Sequence, residues 1–151
     1  MRSLAVLLIV PLAACSPRDK APPERPVALA DSDLMVAGVN YGADSSEVRR
    51  VLGSPVSLDT SSWSYEGFRV WFNGSKVHQM ALKTARFTTR RGLRIGDAAT
   101  RLTELYGASC TAGAYNYCRT VGDDPDERGI LVHVENGIVT DVRIGAVFDL
   151  N

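Results

Sequence analysis

The chain has 151 residues, with 17 basic and 17 acidic side chains, and therefore carries no formal net charge at pH 7. This balance argues against a nucleic-acid-binding protein, because such proteins usually have a clearly basic surface. The length allows one compact domain. Function must therefore be sought in local patterns along the chain.

Residues 1–14 have the features of a secretory signal. Arg2 supplies a positive start, and residues 4–12 are apolar apart from Pro11. A run this short cannot cross a bilayer as a helix, which needs roughly 20 residues. It matches the apolar core of a cleaved signal peptide instead.

The residues at the end of this run, Leu12-Ala13-Ala14-Cys15, resemble the lipobox of bacterial lipoproteins. In that family the signal is cut just before the cysteine, which is then acylated. The resemblance implies that Cys15 begins the mature chain and attaches it to a membrane. By the sorting pattern of these lipoproteins, Ser16 implies the outer membrane, facing the periplasm. The alternative is an ordinary signal with an incidental cysteine, since small residues precede both kinds of cleavage site.

Residues 15–30 form the lipidated cysteine and a predicted tether. Four prolines and charges of both signs lie between Ser16 and Ala30. Such a composition favours a semi-extended chain that holds a folded part away from the lipid surface. We therefore expect a single domain over residues 31–151.

An internal repeat organises this domain. Residues 38–53 return without a gap 54 residues later, as residues 92–107, with all three glycines matched. Val48, Val51 and Leu52 have the spacing of one helix stripe, and their counterparts do too. Asp44 is a suitable N-cap for this helix, and Gly53 lies where a left-handed residue ends one.

Strand-like sequence follows each predicted helix. Residues 68–82 align with residues 130–144 at an offset of 62, and each half contains an Asn-Gly pair, at Asn73 and Asn136. Asn-Gly is the strongest short hairpin signal. The sequence therefore predicts an α+β fold of two tandem repeats, about residues 38–82 and 92–144. Each would be a short helix packed on a three-stranded antiparallel β-meander.

Three segments carry a family resemblance: residues 42–48, 52–55 and 72–77. They resemble the SmpA/OmlA (BamE-like) outer-membrane lipoproteins and the fold of the β-lactamase inhibitor protein. The lipoprotein family typically has one such unit, whereas the inhibitor has two in tandem but is secreted without a lipid. The resemblance implies a helix-on-sheet repeat fold and a protein partner.

Cys110 and Cys118 are the cysteines left after Cys15. An exported chain enters an oxidising compartment, in which paired thiols are the usual state. Two thiols with His78 and His133 far away in sequence match no standard zinc spacing. We expect a structural disulfide between Cys110 and Cys118, and no metal.

Strand alternation identifies the candidate binding residues. If Phe68, Val70 and Phe72 face the helix, Arg69 and Trp71 face the other side of the sheet. In the second repeat, His133 occupies the position of Trp71. We therefore predict protein binding at Arg69, Trp71 and His133. The alternative is that Trp71 fills core space between the repeats.

No nucleophile elbow, phosphate-binding glycine loop or metal-ligand cluster is visible in the sequence. The sequence thus predicts a non-enzymatic envelope lipoprotein without cofactors. Its role would be protein binding, in outer-membrane protein assembly or envelope integrity. The alternative is an inhibitor of a periplasmic or extracellular hydrolase, by analogy with the β-lactamase inhibitor protein.

Overall fold

The structure is a computed structural model that describes residues 28–107, 110–111, 115–119 and 128–146. The predicted signal peptide, Cys15 and the tether up to residue 27 lie outside the described residues. In the part that is described, no helix is both long and apolar enough to span a membrane.

Short strands and two short helices make up the described chain. In chain order, the elements are a 3₁₀ helix (Asp31–Asp33), β1 (Met35–Val36), β2 (Val39–Asn40), α1 (Ser45–Leu52), β3 (Ser57–Leu58), β4 (Ser62–Tyr65), β5 (Phe68–Asn73), β6 (Lys76–Leu82), α2 (Ala99–Tyr106), β7 (Cys110–Thr111), β8 (Asn116–Arg119), β9 (Arg128–Glu135) and β10 (Ile138–Ala146). Eight strands form one antiparallel sheet in the order β3-β4-β5-β6-β10-β9-β8-β7. The predicted hairpins are β5–β6 and β9–β10, whereas the two-residue edge strands β3 and β7 were not predicted.

The predicted fold of two helix-plus-meander repeats is wrong. Strand β6 pairs directly with β10, with Leu82 opposite Val142 and Gln79 opposite Gly145. Strands from both halves therefore belong to one large sheet, and the two helices have only eight residues each. The hydrophobic pattern identified individual strands but contained no signal for the pairing across the middle of the sheet.

The matching sequence segments correspond to a local joint between a helix and a hairpin. The Gly42 N–H donates to the Val77 carbonyl at 2.8 Å, and the Gly96 N–H donates to the Val139 carbonyl at the same distance. Asp44 occupies the N-cap position, but its side chain does not cap the helix. Its carboxylate instead binds Lys76 at 2.9 Å. The sequence segment recurs because the same turn residues are needed wherever a short helix is joined to a hairpin in this way.

The hydrophobic core lies on one side of the sheet, which we call the helix side. Val48 of α1 and both Leu102 and Tyr106 of α2 are buried there. They belong to one cluster with the apolar strand residues Phe68, Val70, Met80, Leu82, Ile130, Val132, Val142 and Ile144. Burying these side chains is the main favourable contribution to folding, at about 25 cal/mol per Å² of apolar surface.

Arg91 fastens the amino-terminal segment to this core. Its guanidinium donates to the Asp33 carboxylate at 2.6 Å and to the Ala28 and Leu105 carbonyls at 2.9 and 3.1 Å. The same guanidinium lies 5.2 Å from the centre of the Tyr106 ring. Burial raises the pKa of Asp33, but hydrogen bonds from Arg91 and the Ala30 N–H and the nearby arginine charges outweigh it, so its pKa is lowered.

Cys110 and Cys118 lie directly opposite each other on β7 and β8. They form a disulfide in the structure, as expected from the sequence. The bond holds the two-residue strand β7 at one edge of the sheet.

Candidate protein-binding surface

The side of the sheet opposite the helices is the candidate binding surface, and we call it the open face. It carries the alternate strand residues Ser62, Ser64, Arg69, Trp71, Gln79, Ala81, Tyr117, Leu131, His133, Asp141 and Arg143. Tyr117 and Leu131 pack on each other there, separately from the main core. Both described helices bury their apolar residues on the helix side.

Arg69 and Trp71 form the centre of one corner of the open face. The Arg69 guanidinium lies 5.1 Å from the centre of the Trp71 ring. Its Nη2 atom also donates to Ser62 Oγ at 3.3 Å. Both side chains are half-buried, and Trp71 lies outside the main core cluster. The pair is thus held in place before any partner binds.

The positive charge of Arg69 is not neutralised within the described part of the chain. Other arginines pair with carboxylates, as Arg86 does with Glu66 and Arg143 with Asp141. No described carboxylate forms an ion pair with Arg69, and its Nε atom is buried without a hydrogen-bond acceptor. An unpaired buried donor costs free energy, so this corner is electrostatically incomplete by itself.

His133 lies on the same face but far from this corner. Trp71 is opposite Gln79, and that row of the sheet continues through Gly145 to Gly129, four residues from His133 on β9. Strand spacing and residue rise place Trp71 and His133 roughly 20 Å apart. His133 instead contacts Thr140 and Tyr115. The repeat alignment equated two strand positions that the single sheet separates.

Two polar residues complete the Arg69 corner, and neither is among the binding residues predicted from the sequence. Ser62, which is opposite Trp71, is 3% exposed, and Gln79 donates through Nε2 to the Ala146 carbonyl at 3.2 Å. Side-chain alternation along β4 predicts the position of Ser62. Because Trp63 faces the core, the neighbouring Ser62 must face the open side of the sheet. The position of Gln79 depends on a register shift in the β5–β6 pairing, which the sequence does not reveal.

Two features of the described residues bear on possible chemistry, namely metal ligands and pockets. Within them, no group of three or more His, Cys, Asp or Glu side chains could hold a metal ion. An open pocket of about 360 Å³ is lined by Tyr41, Gly42, Asn73, Lys76, Val77 and His78. Its lysine is already paired with Asp44.

No family model and no curated protein matches the chain. Among solved structures, the chain is similar to an extracellular protein containing an SCP domain from Bacillus anthracis strain Ames. The TM-score is 0.52 at 11% identity, over 86% of this chain and 50% of that one. A cysteine-rich secretory protein from Staphylococcus aureus matches with a TM-score of 0.40 at 12% identity, over 82% of this chain and 52% of that one. The chain spans about half the length of both proteins.

The resemblance to SmpA/OmlA (BamE-like) lipoproteins and to the β-lactamase inhibitor protein fold is wrong, because the fold is instead similar to that of the SCP-domain-containing protein from Bacillus anthracis. At 11% identity, that likeness shows the fold alone. The segments that suggested the other families consist largely of turn and helix-end residues, such as Gly42, Gly53 and Asn73-Gly74. Any helix joined to a tight hairpin needs such residues, so they do not discriminate between families.

Proposed function

We propose that this protein is a non-enzymatic binding module, exported and anchored to the cell envelope through Cys15. It docks a protein partner on the open face, around Arg69 and Trp71. One observation carries the proposal. A stacked Arg–Trp pair is half-buried on a sheet face that neither described helix covers, and its positive charge lacks a carboxylate among the described residues.

The physical properties of the pair suit binding. Tryptophan and arginine are enriched among the residues that dominate interface energies. A side chain already held in its bound geometry loses less conformational entropy on association. An antiparallel sheet can also leave one face uncovered without unpaired backbone groups. The corner therefore combines apolar area, charge and preorganisation.

The charge at this corner indicates the chemistry of the partner. A carboxylate on the partner, next to apolar surface, would meet the outer nitrogens of Arg69 and the Trp71 ring together. Charge-assisted hydrogen bonds from arginine to a carboxylate are stronger than neutral ones. The alternative role as a hydrolase inhibitor rested on a fold resemblance that is wrong, and no contact in the described chain favours it.

Photo-crosslinking tests the binding surface. A photoreactive amino acid replaces Ser64 on the open face in one protein and Glu47 on α1 in the control, and both are irradiated in intact cells. We expect a specific adduct from position 64 and none from position 47. Adducts formed only from the helix side would place the interface elsewhere.

Substitution of Trp71 then measures its contribution to the identified complex. We expect Trp71→Ala to weaken binding by about 2 kcal/mol, or roughly 30-fold. His133→Ala is the matched control, because His133 lies on the same face but outside this corner. This variant should bind the partner with the affinity of the wild type. Equal losses for both variants would contradict the assignment.

Stability measurements separate binding from packing. Trp71→Ala should lower the free energy of unfolding far less than Phe68→Ala, which removes a fully buried ring and should cost about 3–5 kcal/mol. Urea denaturation of both variants provides the comparison. If the two costs are equal, Trp71 acts as a core residue and the binding proposal fails.

The anchor is tested separately, and its support is the lipobox-like sequence before Cys15. Cys15→Ala should remove acyl labelling and shift the protein out of the membrane fraction, because one modified cysteine carries the chains. Membrane fractionation after metabolic labelling with palmitate reports both effects. Unchanged labelling in the variant would rule out Cys15 as the anchor.

A further inference from the structure

A second stacked arginine–tryptophan pair lies on the helix side of the same end of the sheet. The Arg49 guanidinium of α1 lies 5.0 Å from the centre of the Trp63 ring on β4. Trp63 is half-buried and packs against the main core, whereas Arg49 is exposed. Trp63 directly follows Ser62, which pairs with Trp71. Because side chains alternate along a strand, the two tryptophans project from opposite faces of the same two strands, β4 and β5.

The carboxylates nearest to Arg49 in sequence and across the edge are engaged elsewhere. Glu47 forms its ion pair with Arg50, at 3.9 Å. The Asp59 carboxylate accepts a hydrogen bond from the Thr60 N–H at 2.8 Å. No described carboxylate forms an ion pair with Arg49, whose contact is the Trp63 ring. This end of the sheet therefore has, on each face, an arginine that is stacked on a tryptophan and lacks a described carboxylate.

Exposed apolar side chains continue the helix-side pair to the edge of the sheet. Leu58 on β3 lies directly opposite Trp63 and is 60% exposed. Val56, just before this strand, is 79% exposed. These are the two largest exposed fractions among the large apolar side chains of the described residues. Strand β3 is the last strand on its side of the sheet, so this apolar surface ends at the rim next to the open face.

Both pairs lie close enough to this edge to be covered by one partner. Arg69 is on β5, two strand spacings from β3 or roughly 10 Å, and Trp63 on β4 is one spacing from β3. A specific interface of ordinary size covers about 800 Å² on each protein, which corresponds to a patch about 30 Å across. A protein bound at the open-face pair can therefore extend around the edge to the helix-side pair.

We propose that the partner of the open face also wraps around the β3 edge and contacts Arg49, Trp63 and Leu58 on the helix side. This rests on the proposed function, because it extends the same interface. The partner surface that fits is a cleft with a carboxylate on each wall and apolar side chains between them. One carboxylate pairs with Arg69 and the other with Arg49, since arginine forms its strongest hydrogen bonds with such anions. Leu58 and Val56 lie against the apolar floor of the cleft.

Photo-crosslinking at a second position tests the extended interface. A photoreactive amino acid replaces Leu58 in the full chain, and mass spectrometry compares its adduct with the adduct from position 64. We expect the same protein to be captured from both positions. Position 47 remains the control, because two residues correspond to about 200° around a helix, so Glu47 and Arg49 point to different sides of α1.

Arginine substitutions then measure the electrostatic part of the contact. Arg49→Gln should weaken binding of the protein captured from position 64 about tenfold, because one hydrogen bond to a charged group is lost. Arg50→Gln is the matched control. Arg50 is the next residue on α1, is exposed and already pairs with Glu47, so this variant should bind like the wild type. Both substitutions remove one positive charge, so net charge alone gives no difference between them.

An adduct from position 64 with none from position 58 would overturn the extended interface and leave the open face as the binding surface. Different proteins captured from the two positions would also overturn it, as would a crosslink from position 58 to a second copy of this chain. Equal affinities of the Arg49→Gln and Arg50→Gln variants would have the same consequence. No adduct from position 64 would overturn both the extended interface and the proposed function.

Discussion

Asp33 shows how a single carboxylate can connect separate parts of this chain. Its side chain is 12% exposed and that of Arg91 is 16% exposed. Together they join the segment before β1 to the residues that lead into α2. The Thr89 and Tyr106 hydroxyls lie 2.7 Å apart beside this pair, and burial raises the pKa of Tyr106 to about 12. Removing one partner from such a pair leaves an uncompensated charge in a poorly solvated place.

The lowered pKa of Asp33 predicts a pH dependence of stability. A carboxyl group whose pKa is lower in the folded state stabilises the fold above its unfolded pKa, near 3.8, and loses this contribution as the pH falls through the folded value. Asp33→Asn should lower the free energy of unfolding by about 2 kcal/mol at neutral pH, the usual contribution of hydrogen bonds to a charged group. Its difference from the wild type should shrink below about pH 4. Urea denaturation of both proteins at a series of pH values measures this difference in the free energy of unfolding.

Arg86→Ala is the control for this experiment. Arg86 also forms an ion pair with a carboxylate, but both side chains are largely exposed. Exposed pairs contribute about 0–1 kcal/mol, so its effect should be small. A cost of Asp33→Asn that stays constant from neutral pH to pH 3 would show that the charge of Asp33 does not stabilise the fold.

At the scale of elements, the pairing of β6 with β10 is the central feature. Gly145 lies opposite Gln79 in this pairing and has a φ of 114°. A Cβ atom at position 145 would press on the His78 carbonyl and lie 2.9 Å from a Tyr41 ring carbon. The close approach of the two strands therefore requires glycine here.

Gly145→Ala should lower the free energy of unfolding by about 3 kcal/mol or more, because a steric clash adds to backbone strain. Gly137→Ala is the matched control. Gly137 also has a positive φ, of 78°, but a Cβ there meets nothing within 4 Å. Its cost should be near 1 kcal/mol, from strain alone. Thermal denaturation measures both losses of stability. Equal decreases in melting temperature for the two variants would mean that the β6–β10 pairing accommodates a methyl group.

At the scale of the whole molecule, the eight-stranded sheet, which contains strands from both halves of the chain, predicts cooperative folding. A fragment of residues 31–90 keeps α1 and strands β1–β6 but loses β10, the partner of β6. Buried residues such as Met80 and Leu82 then lose Ile144 and Val142 opposite them. We expect the fragment to be unfolded or strongly self-associating, because a small sheet without its partner strands has too little core.

Circular dichroism measures the thermal unfolding of this fragment and of the full chain, and light scattering measures their self-association. The full chain should show one sharp thermal transition, and the fragment should show none as a monomer. A stable monomeric fragment with its own cooperative melting would demonstrate that the two halves fold independently.

Local features could be read from the sequence because they depend on neighbouring residues. The helix with Val48 on its buried side, the Asn73-Gly74 and Asn136-Gly137 hairpins and the pairing of Cys110 with Cys118 belong to this class. So does the side of the sheet occupied by Arg69 and Trp71, since alternation along a strand has a fixed period of two. Each of these features arises from backbone geometry over a few residues.

Only the tertiary structure decided how these pieces combine. The β6–β10 pairing, the distance between Trp71 and His133 and the exposed edge at β3 depend on which strands become neighbours. That choice is made by burial and packing over the whole chain, and any apolar strand with the right alternation satisfies the local pattern equally well. For the same reason, turn and helix-end residues suggested the wrong families, because they specify a joint and not the sheet that the joint belongs to.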